Sequence, residues 1–269
     1  MSEKKRLKKK ISIIVVSYNT KKKFEKTISS IKSQSFQNYE IIVVDGKSSD
    51  GTIDIIKKKK KLFQKIIIEK DLGIYDAMNK GINISKSDWI FFLNSGDIFF
   101  NNNVLMKIQK YLKKKNDFIY GSVAVKSAKL SYIINAKNFN RNSLIIPFSH
   151  QGIFSSNKLL RKKNFDLSFK IAADFELFYY FLNKKKTFCK VNEIISFIEP
   201  LGISDRKRIL AYSEYQRISL KYSNSNFIKL QFKFFFLKIL ITWLIKYVLP
   251  ENVINSTKYQ KYRLQLIKN

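Results

Sequence analysis

Short apolar runs alternate with amphipathic stretches through the first half of the chain. Ile11–Val16 is continuous and mostly β-branched, the pattern of a strand buried on both faces. The turn Ser17-Tyr18-Asn19-Thr20 follows, with Thr20 placed to cap a helix. Lys21–Ser33 sets Phe24, Ile28 and Ile31 at helical spacing. Glu40–Val44 reads as a second strand, and Asp50-Gly51-Thr52 opens a helix through Ile53, Ile55 and Ile56. Lys65–Ile68 is a third strand, Ile74–Ile84 a helix with Ala77, Met78 and Ile82 inward, and Trp89–Leu93 a fourth strand. Asn102–Leu112 then reads as helix and Phe118–Tyr120 as strand. Such alternation with short connections predicts an α/β fold, a doubly wound and mostly parallel sheet flanked by helices. Right-handed crossovers put the turns after these strands on one edge of the sheet. Ligands bind at that edge in open α/β sheets.

The regularity stops near Gly121. Ser122–Ile146 reads as irregular or hairpin structure, Ile171–Leu182 as helix, and Thr187–Ile198 as strand-like. Asp205–Tyr222 reads as a helix with Ile209, Tyr212 and Ile218 on its apolar face. Phe227–Leu249 is strongly apolar, but Lys229, Lys233, Lys238 and Lys246 interrupt it. A spanning helix needs about 20 predominantly apolar residues, and a central lysine is costly in hydrocarbon. The segment suits a helix lying at a membrane interface with its lysines snorkelling outward; a buried or partner-bound helix and a true span are the other readings. The expected organisation is a basic tail over 1–10, an α/β domain over 11–204 and a helical C-terminal region over 205–269.

Charge changes the picture next. The chain has 269 residues, with 52 Lys and Arg against 20 Asp and Glu and a formal charge of +32. That balance favours anionic partners such as a membrane surface or phosphorylated substrates. Abundant Lys, Ile, Asn and Phe together also fit a coding sequence biased towards A and T. No RRM-like aromatic motif or basic heptad arm accompanies the charge, so no nucleic acid partner is expected. Cys189 is the only cysteine, which excludes an intrachain disulfide and fits a reducing compartment. His150 is the only histidine, which excludes multi-histidine metal sites and zinc fingers. A bound metal would rely on oxygen ligands, hence Mg²⁺ or Mn²⁺. Ile11–Val16 is too short for the apolar core of a signal peptide.

The candidate chemistry lies mostly in turns that follow strands. Asp45, in Val44-Asp45-Gly46, can accept hydrogen bonds from a ribose or base, and an Asp-Gly turn reads equally as plain turn chemistry. Asp50 shares that ambiguity, since Ser49-Asp50-Gly51-Thr52 is also a helix cap. In Asn94-Ser95-Gly96-Asp97 the glycine admits close ligand approach, Asp97 could hold a metal, and Asn94 offers a neutral oxygen or an amide donor. Asp76 and Asn79 are three apart and share a helix face. Asp174 opens a helix among apolar residues, where a carboxylate serves either as general base or as a dipole-favoured helix start. His150 and Gln151 follow Pro147-Phe148-Ser149 and could form a polar cluster.

Together these residues resemble the family 2 glycosyltransferases of the GT-A fold. Ile13-Ile14-Val15-Val16-Ser17-Tyr18-Asn19 is similar to the family's opening strand and loop, and Ile41–Thr52 to its Val-Val-Asp-x-x-Ser-x-Asp-Gly-Thr nucleotide site. Gly73-Ile74-Tyr75-Asp76-Ala77-Met78-Asn79-Lys80-Gly81, followed by Phe92-Leu93-Asn94-Ser95-Gly96-Asp97, resembles the subgroup that builds bacterial exopolysaccharide, capsule and O-antigen. The resemblance runs from Ile11 to about Leu182. It implies an inverting, metal-dependent transferase that uses a nucleoside-diphosphate sugar, UDP-linked, and a lipid-linked saccharide acceptor. A transferase loading sugar onto polyprenyl phosphate is the rival within enzymes, and a basic scaffold or nucleic-acid-binding protein the rival outside them. The implied roles are base contact for Asp45 beside the Ser17-Tyr18 loop, nucleotide proximity for Asp50, metal for Asp97 and base for Asp174. Asp76, Asn79 and Asn94 are expected near the donor, and His150 and Gln151 near acceptor or diphosphate. Two departures stand out: Asn94 replaces a carboxylate of the metal turn, and Ala173 replaces the glutamate that usually precedes the base. The implied location is the cytoplasm, peripherally on the inner face of the cell membrane.

Overall fold

The computed structural model describes residues 10–126, 131–138, 146–199 and 207–222, with the isolated positions 234, 237 and 241. Every residue of β1 (Ile11–Ser17) is buried. A strand of that composition has no polar face to turn to water, so it is covered on both sides. It pairs in parallel with β2 (Tyr39–Asp45) and with β4 (Trp89–Phe92), and β3 (Lys65–Ile68) adds in parallel outside β2. The connections carry α1 (Lys21–Lys32), α2 (Thr52–Lys58) and α3 (Ile74–Ile84).

The strands feed two cores by simple alternation. Ile14, Val16, Ile42, Val44, Ile90 and Phe92 join Ala77, Met78 and Ile82 of α3 on one face. Ile13, Val15, Ile41, Val43 and Phe91 join Phe24, Ile28 and Ile31 of α1 on the other. Burying each of these large side chains contributes roughly 1.5–3 kcal/mol. Helix α3 lies close on β1 because Gly81 has no side chain: a Cβ there would fall 2.6 Å from Ile14 Cγ2.

Beyond β4 the sheet becomes mixed, in the order β3-β2-β1-β4-β8-β6-β9-β5, with β7 alongside β6. Strand β8 (Ile153–Ser156) lies antiparallel between β4 and β6 (Phe118–Lys126). Strand β9 (Phe188–Ile198) runs parallel to β6, and β5 (Ile98–Phe99) pairs antiparallel with β9. The parallel character expected from the sequence therefore holds for β3-β2-β1-β4, and the antiparallel insertion of β8 was not foreseen. The stretch read as irregular or hairpin contains the β6–β7 pairing, with β7 over Ser131–Ile134.

Helix α4 (Val104–Ile108) is shorter than expected and continues as a 3-10 turn, Gln109–Tyr111. Helices α5 (Asn157–Lys162), α6 (Ala173–Asn183) and α7 (Arg208–Tyr222) follow among the described residues. Tyr212 and Ile218 are buried as expected, but Ile209 is 66% exposed because α7 turns that side to solvent. The tail over 1–9, the boundary at 204–205 and most of 227–249 lie outside the described residues. Within that last stretch Phe234, Leu237 and Ile241 are helical and exposed. No helix among the described residues is long and apolar enough to cross a membrane.

Candidate active site

The carboxyl ends of β1, β2 and β4 meet at one edge, and Asp45 organises the first two. It is fully buried. Ser17 Oγ and Ser48 Oγ donate to its Oδ2 at 2.7 and 2.8 Å, and the Ser48 amide donates to Oδ1 at 2.7 Å. Ser48 Oγ also accepts the Asn19 amide at 2.8 Å, and Asn19 Oδ1 accepts the Ser49 amide at 2.8 Å. Asp45 thus ties the two loops together, and its bonds are spent inside the protein. Asp50 does the same work at the surface, accepting from the amides of Lys21 at 2.9 Å and Thr52 at 3.0 Å. The Lys21 amide, then the Thr52 hydroxyl, hold its carboxyl below the usual range.

What remains open to a ligand is Tyr18, 64% exposed, beside Gly46. A Cβ on Gly46 would stand 2.6 Å from Asp71 Oδ2 and 3.1 Å from the Tyr18 ring. Gly46 is therefore packed directly against Asp71 and the Tyr18 ring, which fill the space a side chain would take. Asp71 was missed in the sequence reading. It lies just past β3, on the same edge, and that position was the available signal.

The turn after β4 is built around Gly96, whose φ of +115° needs a residue without a side chain. Its amide donates to Thr27 Oγ1 at 2.9 Å, and Thr27 Oγ1 donates to the Asp97 carbonyl at 2.8 Å. Asp97 is 6% exposed, and its Oδ1 accepts the Glu199 amide at 3.3 Å. Burial, with the charge of Glu199 added, pushes its carboxyl up to about 7, against the opposing pull of the Glu199 amide and Lys23. Glu199, also missed from sequence, pairs with Lys23 at 2.6 Å. It arrives from the end of β9, more than 100 residues away in the chain, so no local pattern marks it.

Asn94 Oδ1 and Ser95 Oγ are buried without a hydrogen-bond partner among the described residues. Unpaired buried oxygens are costly unless something absent from the protein chain completes them. An amide oxygen beside the Asp97 carboxylate fits a hard divalent cation, which is commonly held by one or two carboxylates together with substrate phosphates. Among the described residues no three His, Cys, Asp or Glu side chains converge as a complete cage.

Asp174 sits in the first turn of α6. The Tyr75 hydroxyl, from α3, lies 2.9 Å from Asp174 Oδ1 and 2.6 Å from the Ile171 carbonyl, so its one proton serves two acceptors. Burial, then the Asp174 charge, push the Tyr75 phenol well up, which keeps it a donor. His150 stacks on Phe92 at 5.4 Å and meets Phe165 edge-on at 6.0 Å. Both its ring nitrogens are buried without a partner among the described residues. Burial lowers its pKa, against a weaker pull from the Asp174 charge, so the ring is neutral near pH 7.

Other expected contacts are already engaged. Asn79 donates to the Phe165 carbonyl and accepts the Phe165 amide, both at 2.9 Å, fixing the ring that Tyr75 and His150 touch. Asp76 accepts the Leu72 amide at 3.0 Å and pairs with Lys80 at 3.1 Å. Gln151 accepts from Ser149 Oγ at 2.6 Å, and its carbonyl accepts from Ser196. These three hold the walls of the site.

Comparison with known proteins agrees with this geometry. Residues 12–181 match the model of glycosyl transferase family 2. The chain is 27% identical over 175 residues to the "PGL/p-HBAD biosynthesis glycosyltransferase" of Mycobacterium bovis, across 61% of this chain and 66% of that one. It is 29% identical over 152 residues to "UDP-Glc:alpha-D-GlcNAc-diphosphoundecaprenol beta-1,3-glucosyltransferase WfgD" of Escherichia coli, across 56% and 55%. The matches thus span just under two thirds, or little more than half, of these curated relatives. The fold is similar to the mannosyltransferase PcManGT of Pyrobaculum calidifontis, solved with GDP-Man and Mn²⁺, at a TM-score of 0.63 and 13% identity over 83% of this chain and 67% of that one. The family model covers well over half the sequence, so the chain belongs to glycosyl transferase family 2.

Proposed function

We propose that this chain transfers a sugar, with inversion, from a UDP-linked nucleoside-diphosphate donor to a hydroxyl of a lipid-linked saccharide. The observation that carries the reading is the set of unpaired buried polar atoms at Asn94, Ser95 and His150, the last of them within reach of the Asp174 charge. Such atoms await a polar ligand. The name of WfgD, with UDP-Glc as donor and a diphosphoundecaprenol-linked acceptor, supports the substrate class.

In this reading the nucleotide base lies against the exposed Tyr18 ring, near Asp71. Asp174 takes the proton of the acceptor hydroxyl as that oxygen attacks the anomeric carbon. The bond from that carbon to the diphosphate oxygen breaks, and the nucleoside diphosphate leaves with the electron pair. Tyr75 holds the Asp174 carboxylate in place, and neutral His150 can donate or accept one bond to a sugar hydroxyl. Asp97 and Asn94 would hold Mg²⁺ or Mn²⁺, which when bound neutralises diphosphate charge.

A basic body beside anionic lipid, with Phe234, Leu237 and Ile241 exposed at spacings of three and four, supports peripheral docking at the inner face of the cell membrane. The test is a thermal-shift panel of UDP, GDP, CDP and TDP with Mn²⁺, Mg²⁺ or EDTA, because a ligand bound only to the folded state raises its apparent stability. A metal-dependent rise with UDP is expected. No rise with any diphosphate would overturn the donor site.

A further inference from the structure

Helix α6 begins at Ala173, and its cap position is Ala172, which has no side-chain acceptor for the amides that open the helix. The three amides just ahead of the helix, by contrast, find an acceptor on another element. Glu214, in the middle of α7 and 5% exposed, accepts the Lys170 amide on Oε1 at 2.8 Å. Its Oε2 accepts the Ile171 amide at 2.9 Å and the Ala172 amide at 2.8 Å. One buried carboxylate thus satisfies three consecutive N–H groups. The same segment is gripped from the opposite side, where the Ile171 carbonyl accepts the Tyr75 hydroxyl that also touches Asp174.

We propose that Glu214 is a positioning residue for Asp174. Residues 170–172 are the hinge from which the first turn of α6 projects. With Glu214 in place the hinge has one conformation, and the Ile171 carbonyl, the Tyr75 hydroxyl and Asp174 are set together. Without it three amides, those of Ile171 and Ala172 in buried residues, lose their acceptor, the hinge relaxes, and Asp174 loses its register with the acceptor hydroxyl. Small displacements of a reacting group are expensive in rate. Glu214 lies outside the matched residues 12–181. The role rests on the reading of Asp174 as base.

Arg217 provides the control. It comes from the same helix and donates to the Ser168 carbonyl at 3.0 Å, so its removal loosens α7 on the same loop without freeing the amides of 170–172. The full chain is compared with Glu214→Ala, Glu214→Gln and Arg217→Ala, and with Glu214→Ala in an Asp174→Asn background. The probe is the nucleotide sugar of the diphosphate that stabilises the chain most, UDP-glucose for UDP or GDP-mannose for GDP. Release of nucleoside diphosphate to water is followed with Mn²⁺. Glu214→Ala should lower kcat about tenfold or more with the donor KM within about twofold. Glu214→Gln should fall between, and Arg217→Ala should stay within about twofold on both constants. With Asp174→Asn, Glu214→Ala should change the residual rate by less than about twofold, since no base is left to misplace.

Equal losses in kcat and in donor affinity, or the same loss in both backgrounds, would overturn the proposal and leave Glu214 a stability residue. Where Glu214→Ala does not fold, Glu214→Gln carries the comparison. Wild-type turnover in Asp174→Asn would remove the base assignment itself. A slow Asp174→Asn with normal Glu214 variants would remove only the role of Glu214.

Discussion

Asp174 has a phenol for its neighbour, and that neighbour is locked by a backbone carbonyl. Asp174→Asn keeps the shape and removes the proton acceptor, so kcat should fall by about 100-fold or more with little change in donor KM. Steady-state kinetics check this, and normal turnover would exclude the role. Asp97→Asn should abolish the Mn²⁺-dependent part of the diphosphate thermal shift and spare the part seen in EDTA. His150 gives a pH dependence with a definite sign. Burial lowers its pKa in the folded state, so its contribution to stability is present above the ordinary histidine value of about 6.5 and is lost as pH falls below it. Thermal melts from pH 7.5 downwards should show a decline that flattens in His150→Gln. At this scale the sequence marked Asp45, Asp97 and Asp174 through their turns and helix start. It did not mark Asp71, Tyr75, Glu199 or Glu214, because each acts through a contact formed only when distant segments meet.

Among the elements, the close approach of α3 to β1 is the most exposed to a single change. Gly81→Ala would drive a methyl group into Ile14, and overpacking of this kind costs about 1–3 kcal/mol. A lower midpoint in urea with an unchanged slope would be the signature. The parallel half of the sheet was legible because each strand is a short apolar run closed by a polar turn, and each helix repeats its apolar residues at three and four. Beyond β4 the long strands β6 and β9 were legible as well, and the short strands that join them were not. Ile153–Ser156 is only four residues long and ends in two serines, yet it fills the gap between β4 and β6. β5 has two residues and is a strand only because β9 lies beside it. Periodicity needs more chain than that to declare itself.

For the whole molecule, the proposed membrane docking rests on charge and the C-terminal region, and both can be tested. Each lysine or arginine near anionic lipid is worth about 1 kcal/mol, and the attraction fades with salt. Vesicles rich in anionic lipid should float the full chain at low salt, and a chain ending before Phe227 should float less. Equal flotation would remove that segment from membrane docking. The cap on α6 has a consequence in time as well as in space. A nascent chain emerges from its first residue onward, and its early parts fold first. The proposed donor site is built from residues 17–97, whereas the acceptor proposed to set the hinge before α6 comes from position 214. On that proposal synthesis delivers the grip on the donor well before the group that makes it react. A chain stopped short of α7 is then expected to bind its nucleotide and turn it over slowly, holding before it can act.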